Sequence, residues 1–190
     1  MDTSDARFLD GQLLIAMPGM GDPRFERSVI FVCAHSAEGA MGLIVNKPAQ
    51  ELRFASLLKQ LEIEATADVA GIGVHFGGPV EHGRGFVLHS AEYDAEGASL
   101  KVDPRFAMTA TLDVLQDMAR GAGPMRALLA LGYAGWGPGQ LEGEIQANGW
   151  LTAAADPDLV FGTRDTDKWE AALRSISIDP RLLSAGGGRA

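Results

Sequence analysis

Few side chains in this sequence are placed to do chemistry, and the clearest of them close the run Gly42 to Pro48 (GLIVNKP). A proline there must end a strand, so Asn46 and Lys47 are presented at the rim of a sheet. An amide beside an ammonium can hold an anion. The same pattern is also the ordinary end of a strand with a solvated lysine. A second polar pair, Gln140 and Glu144, is one helical turn apart next to the glycine-rich stretch Gly135 to Gly139. With Lys47 it makes a candidate anion or small-molecule site. The four histidines, His35, His75, His82 and His89, show neither HxH nor HxxxH spacing, so no metal site is expected and strand-end positions explain them. His82 lies in a glycine-rich loop, where exposure is expected. Ser28, Ser36 and Ser90 lie outside any GxSxG turn, and Cys33 sits in the apolar run SVIFVCA, where a thiol is buried and inert. The glycines after the first apolar run (MPGMGDP) lack dinucleotide spacing and no Walker lysine follows any glycine pair, so no cofactor is expected. Asp22 with Glu26, and Glu142 with Gln146, are four apart but read as caps or solvated faces. No catalytic residue is assigned.

These groups need elements to carry them. Gln12 to Met17 reads as a strand stopped by Pro18-Gly19, and Pro23 to Arg27 as a helical turn. Ser28 to Ala34 and Met41 to Val45 are nearly continuous apolar runs, predicting a hairpin with a loop of about five residues and burial on both faces. Phe54 to Leu61 is a helix with Phe54, Leu57, Leu58 and Leu61 on its stripe. Val74 to Phe76 and Gly85 to His89 are expected to pair around GGPVEHGR, whose glycines make either a plain turn or a close-contact ligand loop. Leu100 to Val102 and Met108 are short strand pieces joined through Asp103-Pro104. Thr111 is expected to cap a helix ending at Arg120, with Leu112, Leu115, Met118 and Ala119 inward. Ala127 to Tyr133 reads as a central strand leading into GWGPGQLEGEIQANGW. There Pro138 suits a first helical position, Leu141 and Ile145 share the buried face, and Asn148-Gly149 stops the helix. Trp150 to Ala153 and Leu159 to Phe161 read as short strands and Thr166 to Ile176 as a helix. Strand pairs broken by single helices predict an α/β (α+β) sandwich: a mixed, largely antiparallel sheet of short strands with about three to five packed helices. One domain over residues 1–183 and a disordered tail at 184–190 are expected.

Composition narrows the function classes. The chain has 190 residues, 46% of them apolar and 22% charged, as in an ordinary globular protein. Its net charge of −9, without a Lys/Arg run, disfavours direct duplex binding, which draws its affinity from basic groups at phosphates, and disfavours an anionic membrane surface as well. A lone cysteine, no signal pattern and no long apolar run predict a cytoplasmic location.

Strand-NKP, FGGPV and GYAGWGPGQLE–E occur in that order, after PGMGDPRFERSVIFVCAHSAEGAMG, and as a set they resemble the YqgE/AlgH family of bacterial proteins over about Gly11 to Ile176. The motif positions are Asn46, Lys47, Pro48, Gly77, Gly78, Pro79, Val80, Gly135, Trp136, Gly139, Gln140, Leu141 and Glu144. The resemblance implies an α/β sandwich and the label of transcriptional regulator, and it carries no catalytic residue, metal or cofactor. Two functions are therefore expected, in this order. The first is a non-enzymatic, monomeric interaction module that influences transcription through a protein partner. The partner would dock in a shallow groove framed by Asn46, Lys47, Gly77, Gly78, Pro79, Trp136, Gly139, Gln140 and Glu144. The second is a small-molecule binder or enzyme in which Lys47 meets an anion oriented by Gln140 or Glu144. A direct DNA-binding regulator ranks third.

Overall fold

The computed structural model describes residues 8–19 and 22–183; the expected arm and the expected disordered tail fall largely outside these. Among the described residues are nine strands: β1 (Gln12–Ala16), β2 (Val29–Ser36), β3 (Gly39–Ile44), β4 (Val74–Phe76), β5 (Val80–Ser90), β6 (Ser99–Lys101), β7 (Phe106–Thr109), β8 (Ala127–Trp136) and β9 (Trp150–Ala154). Four α-helices accompany them: α1 (Phe54–Gln60), α2 (Leu112–Ala119), α3 (Gln140–Gln146) and α4 (Asp165–Ser175). The strands form one curled sheet in the order β6-β7-β5-β8-β3-β2-β1-β9, with β4 against β8. Every pairing is antiparallel except β4 with β8. The α+β reading holds.

Period-two alternation explains the double burial. Leu13, Ile15, Phe31, Cys33, Leu43 and Val45 face an inner core closed by Trp169, Ala172 and Leu173 of α4. Their neighbours Leu14, Ala16, Ile30, Val32 and Ile44 face an outer core under Leu141 of α3. Each such leucine, isoleucine, valine or phenylalanine, taken fully from water, contributes about 1.5–3 kcal/mol. A second outer core lies under α1 and α2, against Val87 and Leu129.

β8 is the strand on which the sheet turns. Leu128 and Ala130 face the inner core, while Leu129 and Leu131 face outward. After Gly132, at φ +76°, the parity inverts: Tyr133 packs on the inner core and Ala134 and Trp136 on the outer. One residue in the left-handed region reverses every following side chain. Opposite it β5 bulges, its register slipping between Val80 and Gly85.

The same point explains Gly77-Gly78. β4 and β5 lie on opposite edges of Leu129 to Leu131, so the expected hairpin between them does not form; both pair with β8. The chain joining them must step across β8. A Cβ on Gly77 would fall on the Gly132 carbonyl, one on Gly78 (φ +154°) on the Tyr133–Ala134 peptide, and one on Gly132 on the Gly78 carbonyl. These glycines permit a backbone-on-backbone crossing.

Other local expectations shift for plain reasons. The β2–β3 loop is Ala37-Glu38 alone, because His35 and Ser36 still pair with Ala40 and Gly39. Leu159 to Phe161 lies in a π-helical turn (Asp158–Gly162) and is not a strand. Pro138 precedes the helix, which opens at Gln140 behind left-handed Gly139, and Thr111 stands at the α2 N-cap without a side-chain bond. Leu61 and Leu112, expected on buried stripes, are 41% and 55% exposed. Asn148, at φ +62°, ends α3 as expected.

Gly78→Ala is expected to cost more than about 3 kcal/mol or to prevent folding, since backbone cannot yield as a side chain can. Gly83→Ala, with open space around its Cβ, is expected to cost less than about 0.5 kcal/mol. Denaturant titration of the two variants checks this; equal stabilities would contradict the crossing.

Candidate functional site

The NKP segment is knotted into the fold. The Asn46 Oδ1 accepts the Val29 N–H at 2.8 Å and its Nδ2 donates to the Arg27 carbonyl at 2.8 Å. The Lys47 carbonyl accepts the Phe76 N–H at 2.8 Å, Pro48 bridges to His75, and the Gly77 carbonyl accepts the Ile44 N–H at 2.9 Å. Asn46 thus clips β2 to the end of β3. The Lys47 ammonium is half-buried and in no ion pair among the described residues; burial holds its pKa below the usual lysine value, against the pull of Glu26 and Asp22.

Beneath this segment lies a polar cluster that the sequence reading missed. Lys168, 2% exposed, donates to the Val45 carbonyl at 2.7 Å and pairs with Asp165 at 2.8 Å. Asp165 also meets the His75 Nε2 at 3.0 Å, and the His75 Nδ1 faces the Leu129 carbonyl at 3.3 Å. Burial pushes the Asp165 pKa up, but hydrogen bonds from His75 and Lys168 outweigh it and hold the carboxyl below its usual value. Burial depresses the Lys168 pKa, and Asp165 restores part of the loss. The cluster locks α4 to β3 and β4. A signal was available: Lys168 precedes Ala172 by four and so falls on the helix stripe with Trp169 and Leu173.

The other polar candidates are likewise engaged. The Gln140 Oε1 accepts the Gly137 N–H at 2.9 Å, closing the turn before α3. The Glu144 Oε1 accepts the Trp150 indole N–H at 3.2 Å, while its Oε2 is buried without a protein partner. Trp136 is only 8% exposed and packs edge-to-face on Trp150 at 6.1 Å, so both tryptophans anchor the outer core. The His35 Nδ1 accepts the Leu9 N–H at 3.1 Å, which fixes the other nitrogen as the donor to Glu142 at 2.6 Å. Buried His89 donates from Nδ1 to the Ser90 carbonyl and accepts the Thr109 hydroxyl at 2.7 Å; burial lowers its pKa. His82 is exposed. Burial pushes the Cys33 thiol up to about 12, as expected of a core residue. No cluster of three or more His, Cys, Asp or Glu suited to a metal exists among the described residues.

These positions do not converge. Lys47 and Trp136 lie at opposite ends of β3, roughly 20 Å apart at the rise of a strand, because Trp136 pairs opposite Ala40. Glu144 sits at Trp150 on β9, three strands from β3 in the sheet order. Gln140, at the Gly137 turn next to Trp136, is placed at the end of β3 away from Lys47. What the fold does open is a broad trough of about 630 Å³ at the far end of β2, β3 and β8. Ala34, Ser36, Met41, Val80, Tyr133 and Gly135 line it, with Asp10 and Glu38 at its rim. Of the expected binding residues only Trp136 borders it.

No helix among the described residues is long and apolar enough to cross a membrane. The family model described as AlgH-like matches residues 13–181. A UPF0301 protein of Ruegeria pomeroyi is 65% identical over 183 residues, covering 96% of this chain and 99% of its own length. A UPF0301 protein of Cereibacter sphaeroides is 57% identical with 96% and 99% covered. The solution structure of the AlgH protein from Pseudomonas aeruginosa matches with a TM-score of 0.78 at 39% identity, each chain covered in full. A crystal structure of a Corynebacterium diphtheriae protein shares the fold, with a TM-score of 0.71 at 24% identity over 87% of this chain and 86% of that one. The chain belongs to the AlgH-like family.

Asp165→Asn is expected to destabilise by about 2–3 kcal/mol at neutral pH, because it leaves Lys168 buried without its counter-charge. A depressed aspartate pKa contributes stability above the unfolded value of 3.8 that is lost as pH falls through the folded one. The gap between wild type and variant should therefore narrow below that pH. Urea titrations at neutral and acid pH check it, and a gap constant with pH would contradict the ion pair.

Proposed function

We propose that this AlgH-like protein is a non-enzymatic interaction module that receives a segment of a partner protein in the trough at the end of β2, β3 and β8. The observation that carries the reading is the pairing of that open trough with the internal use of the polar motif groups. Asn46, Gln140 and Glu144 each close a local hydrogen bond within the fold, whereas Met41, Val80 and Tyr133 offer apolar surface beside the exposed backbone of Gly135. Apolar and aromatic groups in a polar rim are the usual anatomy of a docking surface. An influence on transcription would be indirect, through the partner, since phosphate binding draws on clustered basic side chains and this chain carries a net charge of −9. A monomer in the reducing cytoplasm, with Cys33 free and buried, suits the same picture.

The test is affinity capture with exposed substitutions that leave the core intact. An Ala34→Arg, Val80→Arg double variant fills the trough, and Met125→Arg, at a residue 87% exposed, is the control away from it. The partner recovered by wild type and by the control should drop at least about tenfold with the double variant. Equal recovery by all three would contradict the trough as the docking surface.

A further inference from the structure

Most arginines of this chain are neutralised where they stand, as Arg24 is by Asp22, Arg105 by Asp103 and Arg181 by Asp179, each acid two residues away. At the trough the balance is reversed. Asp10 and Glu38 line it, and no lysine or arginine does. Both acids are exposed, and neither is in an ion pair among the described residues. The Asp10 carboxylate accepts the His35 backbone N–H at 2.7 Å. Burial and then the Asp10 charge raise the pKa of Cys33, whose side chain faces the inner core, so this carboxylate stands on the trough's face of the sheet.

Two other charged groups come near without changing that sign. The His35 ring is buried and spends its N–H on Glu142 of α3. Arg84 reaches the same face over the Phe86 ring, but Glu81 holds it at 3.7 Å and the pair adds no net charge. Between the carboxylates and this pair lie Met41, Val80 and the half-buried Tyr133 ring, which packs edge-to-face on Phe86 at 5.7 Å. Apolar floor beside unpaired acids suits a long cationic side chain. Its aliphatic stem covers the floor while its charge reaches the rim, and an aromatic ring adds to the attraction.

We infer that the segment received by the trough is basic, with lysine or arginine side chains flanked by apolar residues. The apolar groups sit on Met41, Val80 and Tyr133, and the cations meet Asp10 and Glu38. This rests on the docking proposed above and names the chemistry of its occupant. The net charge of −9 speeds the approach of such a segment and opposes an acidic one, including a second copy of this chain.

The test selects a displayed library of short random peptides on the full chain, then measures the enriched peptides against two variants. Asp10→Asn with Glu38→Gln removes charge alone, since the new amide oxygen still accepts the His35 N–H. Ala34→Arg with Val80→Arg fills the trough. Enriched peptides should carry Lys or Arg beside apolar residues, weaken at least about fivefold on the amide variant, and weaken further as salt is raised. Peptides lost on the filled variant but without basic residues, or bound equally by the amide variant, overturn this inference and leave the docking reading standing. Peptides indifferent to both variants, or no enrichment at all, overturn both.

Discussion

The fold depends on one steric constraint, the crossing of two backbones at Gly132. β8 has β4 on one edge and β5 on the other over the same residues, so the connection between those strands must pass across it. Only three residues without Cβ atoms, Gly77, Gly78 and Gly132, let the peptides approach that closely. The left-handed turn at Gly132 also reverses the parity of β8, so that Tyr133 points to the inner core and Trp136 to the outer. From that reversal follow the packing of Trp136 on Trp150, the seat of α3, and the trough where the inner core runs out beside Tyr133.

Polar groups near this crossing hold it in place. Asn46 fastens β2 to β3, Gly77 and Lys47 lace the NKP segment to β4, and the buried Lys168–Asp165–His75 cluster pins α4 beneath them. A buried charge pair is weak evidence for net stability but strongly penalises loss of one partner. The cluster thus acts as a register lock between α4 and the sheet. At the opposite end of β3 Gln140 closes the turn before α3, while Glu144 holds the Trp150 indole beside the end of β1. Asn46, Gly77, Gly78, Gln140 and Glu144 each make a contact within the fold, and the open trough lies away from them.

That division explains what was legible in the sequence. Regular periodicity predicts strands and helices close to their limits, as with β1, α1, the central position of β8 and the Asn148 stop. The sequence predicts a β4–β5 hairpin because both runs look like neighbours joined by a turn, and nothing local announces that a third strand, far along the chain, lies between them. The π-helical turn at Leu159 to Phe161 resembles a strand in the sequence because a three-residue apolar run has no period to distinguish it. The composition of NKP, GGP and GPGQ sets these segments apart, but composition does not tell a structural glycine or amide from a binding one. The one sign in the sequence that Lys168 is buried is its place on the helix stripe with Trp169 and Leu173. The trough is assembled from three or more elements, so no single segment could show it.

On the proposed reading, the docking surface lies at the end of the sheet beyond Gly132 and the NKP segment is scaffold. Amide hydrogen exchange on the full chain, free and bound to its captured partner, tests it most directly. The account predicts slowed exchange at Ser36 to Met41 and Tyr133 to Gly135, with Asn46 to Pro48 and the start of α4 unchanged. Protection centred on Asn46 to Pro48, with the trough unaffected, would contradict it.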